Sequence, residues 1–452
     1  MESNSTSSMR IGIDEVPKKP YQWLLYAIQH VLALFTANTL ISIIIFNGYN
    51  MVPAALISAG IGTIFYLLIT RFRSPIFLGS SAGLITVMAG AFGILGTTHN
   101  YMAIIVGLTI VGIVYITVGL IISKFGTTWL MRMLPPYITG PVIVVIGLSL
   151  AVFAVNWSEY NVIAVSDSSP SSLVGLLVAL FTMIVTACIS HYAKGTLSTI
   201  PYLLGILSGY VLALILHLIG SITGNSALCL IDFSAFTNIK WLPEFGIQNA
   251  IANIDQFSVK QILPLIILAV PVSFVTICEH IGDHLNVSSI TGRNLLADPG
   301  LGKTLMGDGV GTILGGFIGG MGNTTYGENS AVIAVSKVAS SRVIGVGACL
   351  AIVLGFCPHL MAFIRSIPLC IFGGISLIIY GAIAVSGLKQ IQKVDLMNNK
   401  NLIIISTVLV AGIGGLFINI GSFKFSGVAL AMVIGVVLNL ILRDSKKTEP
   451  IA

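Results

Sequence analysis

Charge is what this sequence has least of. Only 8% of its 452 residues are Asp, Glu, Lys or Arg, against about a quarter in a soluble domain. A chain so poor in charge has no polar shell to turn towards water, which excludes a soluble enzyme, a nucleic-acid binder and a disordered polymer. Cysteine is sparse as well: the six, at 188, 229, 278, 349, 357 and 370, are scattered and form no CxxC pair. Neither a disulfide framework nor a zinc site is expected from them. No HExxH or comparable cluster occurs, so the chain does not read as an enzyme, and no metal or cofactor is expected. The first 20 residues contain no apolar stretch, so no cleavable signal is expected. What the chain does have is 56% hydrophobic residues, 48 glycines and a mean hydropathy of +0.99. That is the composition of an all-α polytopic membrane protein, with lipid as its surroundings.

A hydrocarbon core ~30 Å thick takes about 20 apolar residues per helix. Such runs fall at 21–46, 51–70, 101–123, 134–155, 173–190, 200–220, 262–282, 304–320, 344–364, 367–386, 402–420 and 427–442. Two further segments, 75–93 and 326–338, are interrupted by Gly, Ser or Asn and read as broken spans. Counting them gives fourteen crossings, with tails at 1–20 and 444–452 and an outer loop at 221–261. With the N-terminus inside, 18 of the 22 Lys and Arg residues lie on the cytoplasmic side, and only Lys240, Lys260, Arg365 and Lys424 lie outside. One miscounted span would reverse every later loop, so this bias supports the count and places both termini in the cytoplasm of a cell (inner) membrane protein. The net charge of +6 is spread in the same way and marks orientation rather than a nucleic-acid patch.

The two halves echo one another. Ile28-Gln29-His30 matches Cys278-Glu279-His280, and the broken third segment (Leu78-Gly79-Ser80-Ser81) matches the broken tenth (Thr325-Tyr326-Gly327-Glu328-Asn329). Pro135 followed by Gly140 matches Pro368 followed by Gly373. Seven spans per copy is an odd number, so the second copy enters the membrane inverted. Inverted repeats with discontinuous helices at matching places mark secondary transporters, whose substrates bind where the half-helices meet.

A broken helix in a bilayer needs protein or a water-filled cavity around it. Its freed N–H groups carry partial positive charge and donate to polar ligands. Tyr326-Gly327-Glu328 offers one such set and Gly79-Ser80-Ser81-Ala82 a facing one. Among the 16 acidic residues only Glu279 and Glu328 sit within spans, with Asp283 and Asp308 near span ends. An ionisable group at membrane depth is a functional candidate by default. Carboxylates repel anions and accept N–H donors, which suits a small neutral heterocycle.

These residues resemble the nucleobase–ascorbate (nucleobase:cation symporter-2) transporters, in particular their bacterial uracil permease branch. The likeness is carried by Glu279-His280-Ile281-Gly282, Leu295-Leu296-Ala297-Asp298-Pro299-Gly300-Leu301 and Asn323-Thr324-Thr325-Tyr326-Gly327-Glu328-Asn329, with support from Gln29-His30, Thr139-Gly140-Pro141 and Tyr380-Gly381. It implies a core domain (spans 1–4 and 8–11, residues 21–123 and 262–364) moving against a gate domain (spans 5–7 and 12–14, residues 129–220 and 366–443). It also implies proton symport of uracil or a related base, and a homodimer. By position, Glu279 and Glu328 would bind the base beside the Tyr326 and Gly327 amides, Ser81 and Ala82, with Tyr380 closing the pocket from the gate. Glu279, Asp283 and His280 would handle the proton. Two departures stand out: Ala82 occupies a place where the family carries a stacking Phe, and Asp283 one where it carries His. The first widens the pocket and removes an aromatic face, towards a purine or a modified pyrimidine. The second puts a carboxylate one turn from Glu279 on the same helical face.

Rival readings fare worse. The near P-loop Ala297-Asp298-Pro299-Gly300-Leu301-Gly302-Lys303-Thr304 lacks its first Gly and a preceding strand. An anion exchanger would need a cationic site, and a channel a continuous polar stripe, which the apolar spans lack.

Overall fold

The computed structural model describes residues 9–46, 50–92, 100–155, 170–237, 239, 241–420 and 423–442. The predicted C-terminal tail, the first eight residues of the N-terminal tail and Lys240 lie outside the described residues. The chain is mostly helical. In order come α1 (Pro20–Phe46), α2 (Val52–Ile69), β1 (Leu78–Ser80), α3 (Ile85–Phe92), α4 (Tyr101–Phe125), α5 (Pro136–Val155), α6 (Pro170–Tyr192) and α7 (Pro201–Thr223). After a stretch of short helical turns follow α8 (Ile262–Thr291), α9 (Leu301–Gly319), β2 (Asn323–Thr325), α10 (Gly327–Ser336), α11 (Ser341–Gly355), α12 (Pro358–Ser366) and α13 (Leu369–Ile391). The chain then runs through α14 (Asn399–Ile413), the hairpin β3 (Phe417–Ile420) and β4 (Phe423–Ser426), and α15 (Gly427–Ile441). Among the described residues, seven helices are by themselves long and apolar enough to cross a bilayer.

Three expectations change at the level of single elements. The eighth span does not stop at Gly282 but runs on as α8 to Thr291, ended by Gly292 in the left-handed conformation (φ 70°). The eleventh is not one rod: α11 and α12 are bent by 76° at Phe356-Cys357-Pro358. Proline there starts a new helix but cannot continue the old one. The thirteenth ends at Ile413, and its last predicted residues form the β3–β4 hairpin instead.

Helices pack most extensively within two sets, α1, α2, α4, α8, α9 and α11 in one, and α5, α6, α7, α13, α14 and α15 in the other. Glycine makes the closest approaches possible. A Cβ on Gly112 of α4 would stand 2.6 Å from the Gly309 carbonyl of α9, and one on Gly387 of α13 would stand 2.5 Å from the Gly140 carbonyl of α5. Small residues of this kind drive helix association where lipid removes the hydrophobic incentive.

Candidate functional site

The two broken segments cross at the centre of the first set. β1 pairs antiparallel with β2, Leu78 opposite Thr325, Gly79 opposite Thr324 and Ser80 opposite Asn323. The ladder is extended by Ser81 N–H donating to the Gly322 carbonyl (2.9 Å) and Tyr326 N–H to the Phe77 carbonyl (3.1 Å). Two three-residue strands leave their outer edges unpaired, and buried backbone groups must find partners. Side chains supply them. Leu78 N–H donates to Thr63 Oγ1 (2.9 Å) and Ser80 N–H to Asn38 Oδ1 (2.9 Å). Across the ladder, Thr325 N–H donates to Asp308 Oδ2 (2.9 Å) and the Thr312 hydroxyl to the Asn323 carbonyl (2.8 Å). The crossing is therefore fastened by α1, α2 and α9.

A half-helix leaves each strand. Beyond β1 the turn Ala82–Leu84 leads into α3, with Ser81 as its N-cap, and beyond β2 Tyr326 precedes α10. Helix α8 runs past both starts. A Cβ on Gly83 would lie 3.1 Å from Glu279 Oε2, and one on Gly327 would lie 3.1 Å from Asp283 Oδ1. One turn apart on α8, these two carboxylates each touch a different half-helix start. Glu328 belongs to the first turn of α10 and lies within electrostatic reach of Glu279 and Asp283. All three acids are half-buried, as is Ala82, whereas Ser81 and Tyr326 are buried. The glycines at 83 and 327 are what lets the carboxylates sit against backbone. Helix starts stabilise negative charge.

Other predicted residues take different places. His280 does not turn towards Glu279: its Nδ1 lies 2.8 Å from Asp308 Oδ2 and its Nε2 2.9 Å from Thr304 Oγ1. An i to i+1 step on a helix rotates a side chain ~100°, so neighbours in sequence face apart. Tyr380 is buried in α13, and among the described residues its hydroxyl meets no hydrogen-bond partner of good geometry. The same holds for the Tyr326 hydroxyl and Ser330 Oγ. Buried polar atoms are normally bonded, so these hydroxyls are suited to receiving polar partners from outside the chain.

A buried chain missed by sequence reasoning lies behind the carboxylates. Asp308, read as lying near a span end, is fully buried within α9 and accepts from the Thr325 hydroxyl as well as its N–H. His280 and His284 stack with ring centroids 4.0 Å apart. His284 Nδ1 donates to the His280 carbonyl (2.8 Å), so its Nε2 accepts from the Tyr66 hydroxyl (2.9 Å), which is also 2.8 Å from Ser74 Oγ. The spacing of His280 and His284, four apart on α8, was the available signal. Tyr202, at the start of α7, is a second omission, lying within electrostatic reach of Glu328. Among the described residues, no group of three or more His, Cys, Asp or Glu side chains is arranged to hold a metal ion.

Comparison with known proteins adds to this geometry. A permease family, Xan_ur_permease, matches residues 21–421. The uracil permease of Bacillus subtilis (strain 168) is 39% identical over 454 residues, covering 98% of both chains. That of Escherichia coli (strain K12) is 33% identical over 437 residues, covering 96% of this chain and 94% of its own. Among solved structures, the transmembrane domain of a cyanobacterium bicarbonate transporter, BicA, matches with a TM-score of 0.60 at 14% identity, covering 94% of this chain and 99% of that one. The murine anion transporter Slc26a9 in its inward-facing state matches at 0.63 and 11% identity, covering 94% of this chain and 69% of its own. At such identities these two show a shared fold and nothing of the cargo.

Proposed function

Since the chain belongs to the Xan_ur_permease family of permeases, the nucleobase–ascorbate transporters that its motifs resemble, we propose that it carries uracil into the cell by proton symport. The observation that carries this reading is the strand crossing that sets Glu279 and Asp283 of α8 against the starts of two half-helices, with Glu328 beside them. A pyrimidine edge alternates N–H and C=O groups. Glu279 and Glu328 accept its N–H groups, while the Tyr326 and Gly327 amides face its carbonyls. Ser81 and Ala82 border the base, and Tyr380 closes over it from the opposing helices. Uracil permeases dominate the relatives of high coverage, and Glu328-Asn329 is the pairing that the resemblance ties to uracil.

Glu279 takes up the coupling proton in this reading, with Asp283 tuning it through shared negative charge. His280 acts on it only indirectly, through the Asp308–Thr325 contacts that hold β2. A proton entering down ~100 mV supplies about 2.3 kcal/mol, sufficient for roughly fifty-fold accumulation. The chain crosses a cell membrane fourteen times with both termini cytoplasmic. Residues 21–123 and 262–364 form a core that rocks against a gate of residues 129–220 and 366–443, and two copies form a dimer. The two packing sets support that division. The small side chain of Ala82 at the start of a half-helix favours a second substrate class, a purine such as xanthine or guanine. The anion-exchange reading of the same fold is opposed by three acids at the crossing.

Uptake of radiolabelled uracil by proteoliposomes, competed with xanthine, guanine and thymine, tests the substrate, and collapse of the proton gradient tests the coupling. Glu328→Gln should abolish uptake of the true substrate. Wild-type uptake by that variant would remove Glu328 from the site.

A further inference from the structure

Thr139-Gly140-Pro141 stands in the first turns of α5, and the fold gives its first residue a partner on another helix. The Thr139 hydroxyl donates to Gln390 Oε1 (2.7 Å), in the last turn of α13. Elsewhere in the same set, Thr182 and Thr186 turn their hydroxyls back to carbonyls of their own helix, those of Val178 and Thr182. A bond across helices is therefore not what a helical threonine makes by default. The pair sits on a close helix contact: Gly140 and Gly387 bring α5 and α13 together, with Ile391 and Val144 packed against those two glycines. With its oxygen taken, the Gln390 amide presents its nitrogen to α8. A Cβ on Gly282 would stand 3.8 Å from Gln390 Nε2, with no other side chain within 4 Å. Gly282 is the one glycine among the thirty residues of α8, and glycine weakens a helix interior relative to alanine. It lies on the face that carries Glu279 three residues before it and Asn286 four after it. α8 also packs against α5 and α15 of the other set.

We propose that Gln390 is a positioning residue of the transport cycle: oriented by Thr139, its amide nitrogen seats on α8 at Gly282 and latches the core to the gate one turn from Glu279. This rests on the division into core and gate given under the proposed function. The seat has a definite size. At 3.8 Å an added methyl makes ordinary contact, so alanine fits there, whereas a longer side chain would hold the two sets apart. Valine at 139 keeps the shape and removes the donor, which frees the amide to rotate away from α8.

The test measures the separation of the two sets directly. Spin labels are placed at Ser289→Cys on α8 and Met397→Cys beyond α13, both exposed positions. The carrier is the full-length protein in liposomes, with Cys188, Cys229, Cys349 and Cys357, the cysteines that are not buried, replaced by serine. Double electron–electron resonance should show one dominant separation in this parent. Thr139→Val, Gln390→Leu and Gly282→Leu should each raise the population of a second separation about tenfold, while Thr139→Ser and Gly282→Ala keep the parent distribution. The same three variants should lower the kcat of uptake and leave the dissociation constant of the base within about twofold, a split that general damage to the fold would not give. The parent distribution in both Thr139→Val and Gly282→Leu overturns the latch. So does a shift in Thr139→Ser and Gly282→Ala as large as in the other three. The separations are read without substrate, so a parent that fails to bind uracil would sink the cargo reading and leave the latch to stand or fall by itself.

Discussion

At the scale of single residues, the site depends on two positions without side chains. Gly83 is the more demanding of them. A methyl there would stand 2.5 Å from Thr276 Cγ2 and 3.1 Å from Glu279 Oε2, and Thr276 is anchored by the Tyr115 hydroxyl at 2.5 Å. Overpacking of this kind costs ~1–3 kcal/mol. Part of it is relieved by pushing the Glu279 carboxylate aside, so Gly83→Ala should raise the KM for uptake about tenfold while the protein still reaches the membrane. Unchanged kinetics would place the substrate elsewhere. The residues the sequence disclosed and those it hid differ for a physical reason. Glu279 and Glu328 stood out because a carboxylate inside an apolar run is costly and rare. Asp308 lies in a glycine-rich run whose depth could not be judged, and Tyr66 looked like one more apolar residue of α2. Only packing shows that Tyr66 reaches His284 on a helix 218 positions away.

At the scale of elements, the breaks were legible and the strands were not. Gly, Ser and Asn in 75–93 and 326–338 predicted interruption, but three residues are too short to show the alternation that marks a strand. The pairing of β1 with β2 follows from where the two breaks meet, and the sequence contributes only their matching order in the two halves. The bend before α12 was written in Pro358, yet the apolar residues on either side read as one span. What holds the crossing can be tested at Thr63, whose hydroxyl accepts from Leu78 N–H and donates to the Ala59 carbonyl (2.7 Å). Thr63→Val keeps the volume and leaves a buried N–H without an acceptor, a loss of ~1–3 kcal/mol. Thr63→Ser keeps the acceptor. Thermal unfolding should separate the two, with the valine variant markedly less stable and the serine variant near wild type. Equal stability would show that the strand edge does not rely on α2.

At the scale of the whole molecule, four charges join segments that are far apart in sequence. Arg293 binds Asp14 (2.6 Å) and Asp298 (2.5 Å), and Asp298 also binds Arg73 (2.9 Å). The N-terminal segment is thereby tied to the α8–α9 linker and to the turn before β1. The same segment is secured again by its parallel bridge from Ile11 to Val338 and by Ala339 N–H donating to the Ile11 carbonyl (2.9 Å). This cluster lies outside the spans, on the side the positive-inside rule assigns to the cytoplasm, and it responds to pH with a definite sign. Hydrogen bonds from Arg293 first, then from Arg73, hold the Asp298 carboxyl below the usual carboxylate range, and the same contact raises Arg293 above its ordinary value. A carboxyl depressed in the folded state stabilises it above the unfolded pKa of about 3.9, and that contribution fades as pH falls through the folded value. The gain is modest, since the Asp298 and Arg73 side chains are 43% and 52% exposed and water screens such pairs. Asp298→Asn should therefore unfold at a lower temperature than wild type near neutral pH, and the gap should close once the pH falls below the depressed value of the folded carboxyl. A gap that persists undiminished in acid would mean that Asp298 acts by shape, not charge.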